Sequence, residues 1–146
     1  MGHYLLRLVA ASLVGCLVGI ICNRENNTYS QRSYALISLG AALVSVTGLG
    51  LYQTLGAMRV GDPGLMMAQI ISALGFLGTG MIWITEDKKV MGMTHAASLW
   101  ITAILGMMIG IGLSEPTSLG VFFFIVIFWV SRELEKYDIK RFFRRR

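Results

Sequence analysis

Apolar residues dominate five stretches of the chain, 4–22, 34–52, 65–84, 94–113 and 119–130, and polar residues crowd the gaps between them. A helix rises ~1.5 Å per residue, so about 20 apolar residues cross the ~30 Å of hydrocarbon in a bilayer. The first four stretches meet that length. The fifth reaches it by extending through Thr117, Ser118 and Ser131, with Arg132 snorkelling to the interface. No stretch outside these five could form a soluble core. The pattern predicts an all-α integral membrane protein: a five-helix transmembrane bundle over residues 1–131, then a basic cytoplasmic tail over 132–146. In that tail Leu134, Tyr137, Ile139, Phe142 and Phe143 alternate with charge. This suits a short helix that continues the fifth span and lies along the headgroups, or one that meets a partner.

The third and fourth stretches are studded with small residues where most spans carry leucine. Ala68, Ser72, Gly75 and Thr79 form one stripe, and Thr102, Gly106 and Gly110 another; Ala11, Gly15 and Gly19 repeat the pattern on the first stretch. Lipid offers no hydrophobic drive between helices, so such stripes let backbones approach closely and gain packing instead. Ser38 and Ser45, seven residues apart, share a face of the second stretch and could bond across it. Gly75, Gly78 and Gly80 fall within six residues and disfavour a regular helix by about 1 kcal/mol each. They predict a kink or unwound turn, which must then be buried or wet, with Phe76 and Leu77 supplying an apolar side.

Composition agrees with a membrane protein: 55% of the 146 residues are hydrophobic and 14% charged, against roughly 25% charged in soluble domains. The net charge of +5 acquires meaning only when mapped. With five crossings and the C-terminus inside, eleven basic residues lie on the inner side: Arg24, Arg32, Lys88, Lys89, Arg132, Lys136, Lys140, Arg141, Arg144, Arg145 and Arg146. Arg7 and Arg59 alone lie outside. The positive-inside rule therefore selects N-out, C-in. Lys136, Lys140, Arg141, Arg144, Arg145 and Arg146 read as an orientation signal and an anchor on anionic lipid. Nucleic-acid binding is not expected, because no folded module supports the basic tail.

Candidate chemistry is sparse. Leu13–Val14–Gly15–Cys16 resembles a lipoprotein cleavage box, but the apolar run continues past it, so retention as a first helix is expected. Cys16 and Cys22, six residues apart on one helix, point in different directions and cannot pair within one chain, which leaves a bridge across a dimer as the alternative to buried thiols. His3 and His95 belong to opposite ends of the bundle and cannot share a metal; Thr94 reads as the N-cap of the fourth helix. Asp62 before Pro63 is a helix start, and Gln69, a turn into the membrane, needs a polar partner. No Asp or Glu lies within any of the five stretches, whereas magnesium requires oxygen ligands. No nucleophile–base pair, paired carboxylates or phosphate loop is present, so no catalysis, cofactor or bound metal is expected.

The residues 68–82, AQIISALGFLGTGMI, resemble one signature of the MgtC/SapB membrane family, and 92–100, GMTHAASLW, resemble its second. Arg32–Ser33–Tyr34–Ala35–Leu36 is similar to a stretch that precedes the family's second helix. The chain departs from the family pattern at Ile21, Cys22, Leu65, Ala73 and His95. The resemblance implies a small bacterial inner-membrane protein associated with low magnesium, acid stress and survival in host cells. It implies regulation by partner binding, with the membrane sector of ATP synthase as one such partner. Many members carry a cytoplasmic ACT-like domain after the last helix, where this chain has its short basic tail. The candidate functional surface is Arg32, Asp62, Gln69, Gly75, Phe76, Gly78, Gly80, Thr94, Ser98 and Trp100. The expected role is a homo-oligomeric, partner-binding regulator; the alternative is a magnesium or other cation transporter using a glycine-interrupted third helix.

Overall fold

Each apolar stretch is helical over most of its length. In the structure, a computed structural model, residues 2–23, 31–56 and 62–143 are described. The helices are α1 (Gly2–Asn23), α2 (Gln31–Leu55), α3 (Pro63–Met81), α4 (Met93–Ile111) and α5 (Ser114–Phe143). Four of them, α1 to α4, are long and apolar enough to cross a membrane. Expectations placed on Arg24, Arg59, Arg144, Arg145 and Arg146 fall outside the described residues.

The chain divides into two units, Met1–Leu113 and Ser114–Arg146. The second unit is α5 alone, a continuous helix of 30 residues. Its apolar stretch continues in sequence through Phe128, Trp129 and Val130. The backbone of the tail continues this helix, with Lys136, Lys140 and Arg141 in its last turns.

In the first unit α1, α2 and α4 pack against one another so closely that glycine is required. A Cβ at Gly15 would lie 2.6 Å from the Tyr34 carbonyl oxygen and 2.7 Å from Ser38 Cβ. One at Gly19 would lie 3.0 Å from Gln31 Cα, and one at Gly110 would lie 2.6 Å from the Ala42 carbonyl oxygen. At Gly106 it would strike the backbone of Ser38. The obstacles are backbone atoms, which cannot swing aside. Ser38 Oγ donates to the Ala11 carbonyl at 2.7 Å and so ties α2 to α1. Ser45, although fully buried beside it, bonds within its own helix to Ala41 at 2.9 Å. Of the two serines, one bonds across the interface.

Helix α3 attaches by a thinner contact. Leu74 joins Ala41, Ala103 and Met107 in a small apolar cluster, flanked by Met67 and Ile70. That face is its share of the core. Only 6% of the spanning window of α3 is buried, against 28%, 33% and 44% for α1, α2 and α4.

Two expectations about α3 are corrected. The glycines at 75, 78 and 80 do not unwind it: the helix is regular from Pro63 to Met81. An unpaired peptide group in hydrocarbon costs several kcal/mol, which outweighs about 1 kcal/mol of propensity per glycine. The helix also ends before residue 84. Ile82 turns extended, and Trp83–Ile84 (β1) pairs antiparallel with Val90–Met91 (β2), Trp83 opposite Met91. The charged connector is thus a β-hairpin. Its turn is held by Lys88 N–H on the Thr85 carbonyl and Thr85 N–H on the Lys89 carbonyl, both at 2.9 Å.

Gly92 explains a third correction. Its φ of +87° and its close approach to the Met81 carbonyl admit no side chain, and it forms the N-cap of α4 without a side-chain bond. The helix therefore begins at Met93, and Thr94 lies inside its first turn instead of capping it.

Candidate functional site

Three polar features stand out against the apolar bundle. The first is a buried cluster where the end of α1 meets the starts of α2 and α4. Tyr34 is fully buried, and its hydroxyl lies 3.1 Å from Ser98 Oγ and 3.3 Å from His95 Nδ1. Ser98 Oγ in turn donates to the His95 carbonyl at 2.9 Å. Each hydroxyl has one proton. All three bonds coexist when Ser98 donates to the carbonyl, Tyr34 donates to Ser98, and His95 carries its proton on Nδ1 and donates to Tyr34. The buried Cys22 thiol of α1 lies beside the Ser98 and Tyr34 hydroxyls. A buried polar group without hydrogen-bond partners would cost about 1–3 kcal/mol, so the cluster fixes the register of α2 against α4.

The second feature lies at the opposite end. Arg7 Nη1, on α1, donates to the carbonyls of Gly110 and Ile111, each at 3.2 Å. A cation there meets the negative end of the α4 dipole. Gly112, at φ +94°, closes α4 and donates its N–H to the Met108 and Ile109 carbonyls. Arg7 also stands 5.9 Å from the centre of the Tyr4 ring. The residue that entered the sequence reading as one of two outer charges is a clamp between α1 and α4.

The third feature is the outward face of α3. Ala68, Gln69, Ser72, Gly75, Phe76, Thr79 and Gly80 are all exposed, Phe76 at 81%. A Cβ at Gly75 or Gly80 would meet nothing within 4 Å. Gly78 looks toward Ala96 of α4 at 3.7 Å, an ordinary contact. Gln69 has no hydrogen-bond partner among the described residues.

The predicted surface residues do not converge on one point. Asp62 caps α3, accepting from Gly64 N–H at 2.8 Å, and Arg32 is exposed on the first turn of α2. Ser98 is buried in the Tyr34 cluster, whereas Trp100 and Thr94 are exposed on α4. The packing residues divide in the same way. Ala11, Gly15, Gly19, Thr102, Gly106 and Gly110 are buried between helices, while Ser72 and Thr79 face outward. Thr79 Oγ1 bonds only its own helix, at the Phe76 carbonyl. Among the described residues no three His, Cys, Asp or Glu side chains come together as a metal site, and both cysteines are free thiols.

Sequence reasoning missed Tyr34, the Cys22 thiol and Arg7 as contacts. Topology contains part of the signal. With α1, α2 and α4 crossing alternately, Cys22, Tyr34 and His95 fall at the same end.

Residues 8–137 match the model of the MgtC family. The chain is 30% identical to the "Putative magnesium transporter YhiD" of Escherichia coli K12 over 134 residues, 90% of this chain and 62% of that protein. It is 35% identical to "Protein MgtC" of Salmonella typhimurium LT2 over 109 residues, 75% of this chain and 44% of that one. "Protein SrpB" of Synechococcus elongatus is 28% identical over 137 residues, 89% of this chain and 75% of that protein. The chain therefore spans less than two thirds of the YhiD and MgtC sequences it matches. No solved structure matches it.

Proposed function

The chain belongs to the MgtC family, and we propose that it acts as a multi-pass membrane protein that regulates by binding a membrane partner through the outward face of α3. One observation carries this reading. The stretch that resembles a family signature, residues 68–82, is mostly turned away from the protein's own core. Small side chains at Ala68, Ser72 and Gly75 leave room for another helix to approach closely. Gln69 adds a donor and an acceptor in a setting where an unbonded amide is costly.

The first occupant this face suits is a second copy of the chain, because a glutamine amide is self-complementary across a two-fold axis. A larger membrane complex such as the ATP synthase membrane sector is a further proposal for the same face. Placement in a bacterial inner membrane, N-out and C-in, with a role in magnesium, acid or host stress, belongs to the same proposal.

The name of YhiD favours a second reading, magnesium transport. Against it, α3 is an unbroken helix, and no Asp or Glu lies within α1 to α4 to replace the water that magnesium sheds reluctantly. The test is reconstitution into liposomes holding a magnesium reporter, with an imposed membrane potential. The proposal expects no flux, together with a dimer that Gln69→Leu weakens. Magnesium flux that Gln69→Leu or Gly78→Leu abolishes would overturn it.

A further inference from the structure

The hairpin between α3 and α4 has no place in the partner-binding reading, yet its surface is unusual. Ile82, Trp83, Ile84, Val90, Met91 and Met93 are exposed by 37%, 43%, 71%, 55%, 42% and 64%. Six large apolar side chains thus stand outside the helices within twelve residues of chain. Opposite residues of an antiparallel pair share a face, so Trp83 and Met91 lie on one side and Ile84 and Val90 on the other. Both faces are apolar. Fully in water, such a patch would be left unburied. Fully in hydrocarbon, the two outer strand edges would leave N–H and C=O groups without partners, at several kcal/mol each. Both environments are excluded, by different groups of the same element.

Length supplies the location. Helices α3 and α4 are 19 residues each, about 28 Å at 1.5 Å per residue, close to the ~30 Å hydrocarbon thickness. The hairpin begins two residues after α3 ends and closes two residues before α4 begins. It is held there stiffly. Gly92 abuts the Met81 carbonyl, and the Trp83 ring lies 3.1 Å from where a Gly92 Cβ would be.

We propose that residues 82–93 form a membrane-interface element, with both apolar strands seated in the headgroup–acyl boundary of one leaflet and the Glu86–Asp87–Lys88–Lys89 tip turned to water. The partner is the lipid interface itself. There the outer strand edges reach water, Trp83 takes the depth that tryptophan prefers, and the apolar side chains dip toward the acyl chains. The tip carries two charges of each sign, so the seat depends on depth and not on attraction to anionic lipid. The element fixes the depth of the α3–α4 pair, and this holds whether or not α3 binds a partner.

The experiment keeps Trp83 as the single tryptophan by Trp100→Phe and Trp129→Phe, in full-length protein reconstituted into phosphatidylcholine vesicles with brominated chains. Expected is a blue-shifted emission, quenched more by bromines high on the acyl chain than by those at its end, and shielded from iodide. The same profile is expected with anionic phosphatidylglycerol added. Emission like that of free tryptophan, open to iodide and indifferent to brominated lipid, would overturn the proposal and mark the hairpin as a landing site for a soluble protein. Strongest quenching by chain-end bromines would also overturn it. Should the double substitution not fold, Ile84→Cys carrying an environment-sensitive fluorophore, with Cys16→Ala and Cys22→Ala to confine the label, gives the same readout with all tryptophans retained.

Discussion

Two regions of this bundle use the same kind of residue for opposite ends. In the α1–α2–α4 core, small residues are small because something else is there. Gly15, Gly19, Gly106 and Gly110 each face a neighbouring backbone within about a methyl group's reach, and Ser38 bridges to Ala11. On α3, the small residues at 68, 72 and 75 face open space, and Gly75 and Gly80 have nothing within 4 Å of a notional Cβ. The stripes are indistinguishable in sequence, four residues apart in each case or nearly so. The difference teaches that small-residue spacing reports the capacity for close approach, while only the fold shows whether that capacity has been used inside the chain. Where it has not been used, a partner is the natural user, and this is why the proposed function rests on α3.

The comparison can be broken by substitution, and the largest effect should come from the core. Gly106→Leu or Gly110→Leu forces a side chain into the α2 backbone and should destabilise the bundle by about 3 kcal/mol, read as loss of the folded form in detergent-titration unfolding. Gly75→Leu, with free space and better helix propensity, should leave that unfolding curve unmoved while weakening self-association. Equal losses at both sites would erase the distinction. Next in size, Tyr34→Phe removes the buried hydroxyl that joins Ser98 to His95 and should cost about 2 kcal/mol. The His95 ring signals in NMR should shift as the Nδ1 proton loses its acceptor. Asp62→Ala should cost about 1 kcal/mol through the lost cap of α3, and it should loosen α3 before the core in hydrogen exchange. Smallest is Ser38→Ala, at about 0.6 kcal/mol for a bond between membrane helices, measurable by the same unfolding titration.

Much of the fold was legible in the hydrophobic pattern because length and apolarity are local properties. The helices follow the apolar stretches closely, and Asp62–Pro63 marks the start of α3 as its chemistry dictates. What local reading missed was decided by distant atoms. Gly75, Gly78 and Gly80 suggested a break, but the cost of bare peptide groups in lipid keeps α3 helical. Thr94 looked like a cap until Gly92, pressed against the Met81 carbonyl, started α4 two residues earlier than a Thr94 cap would allow. The candidate site was half visible. Gln69, Gly75 and Phe76 do form an outward face, whereas Tyr34, Cys22 and Arg7 gain their partners only across 61 to 104 residues of chain or through a different helix. No window of sequence holds such pairs together.

The central claim, that α3 presents its signature face to a protein and not to lipid, is tested most directly by position-specific photo-crosslinking in intact membranes. A photoreactive residue replaces Ser72 on the outward face of α3 in one variant and Leu13 on the exposed face of α1, 59% accessible, in another. The account predicts protein adducts from position 72, a covalent dimer among them, and lipid adducts from position 13. Lipid adducts alone from position 72, or the same adducts from both positions, would contradict it.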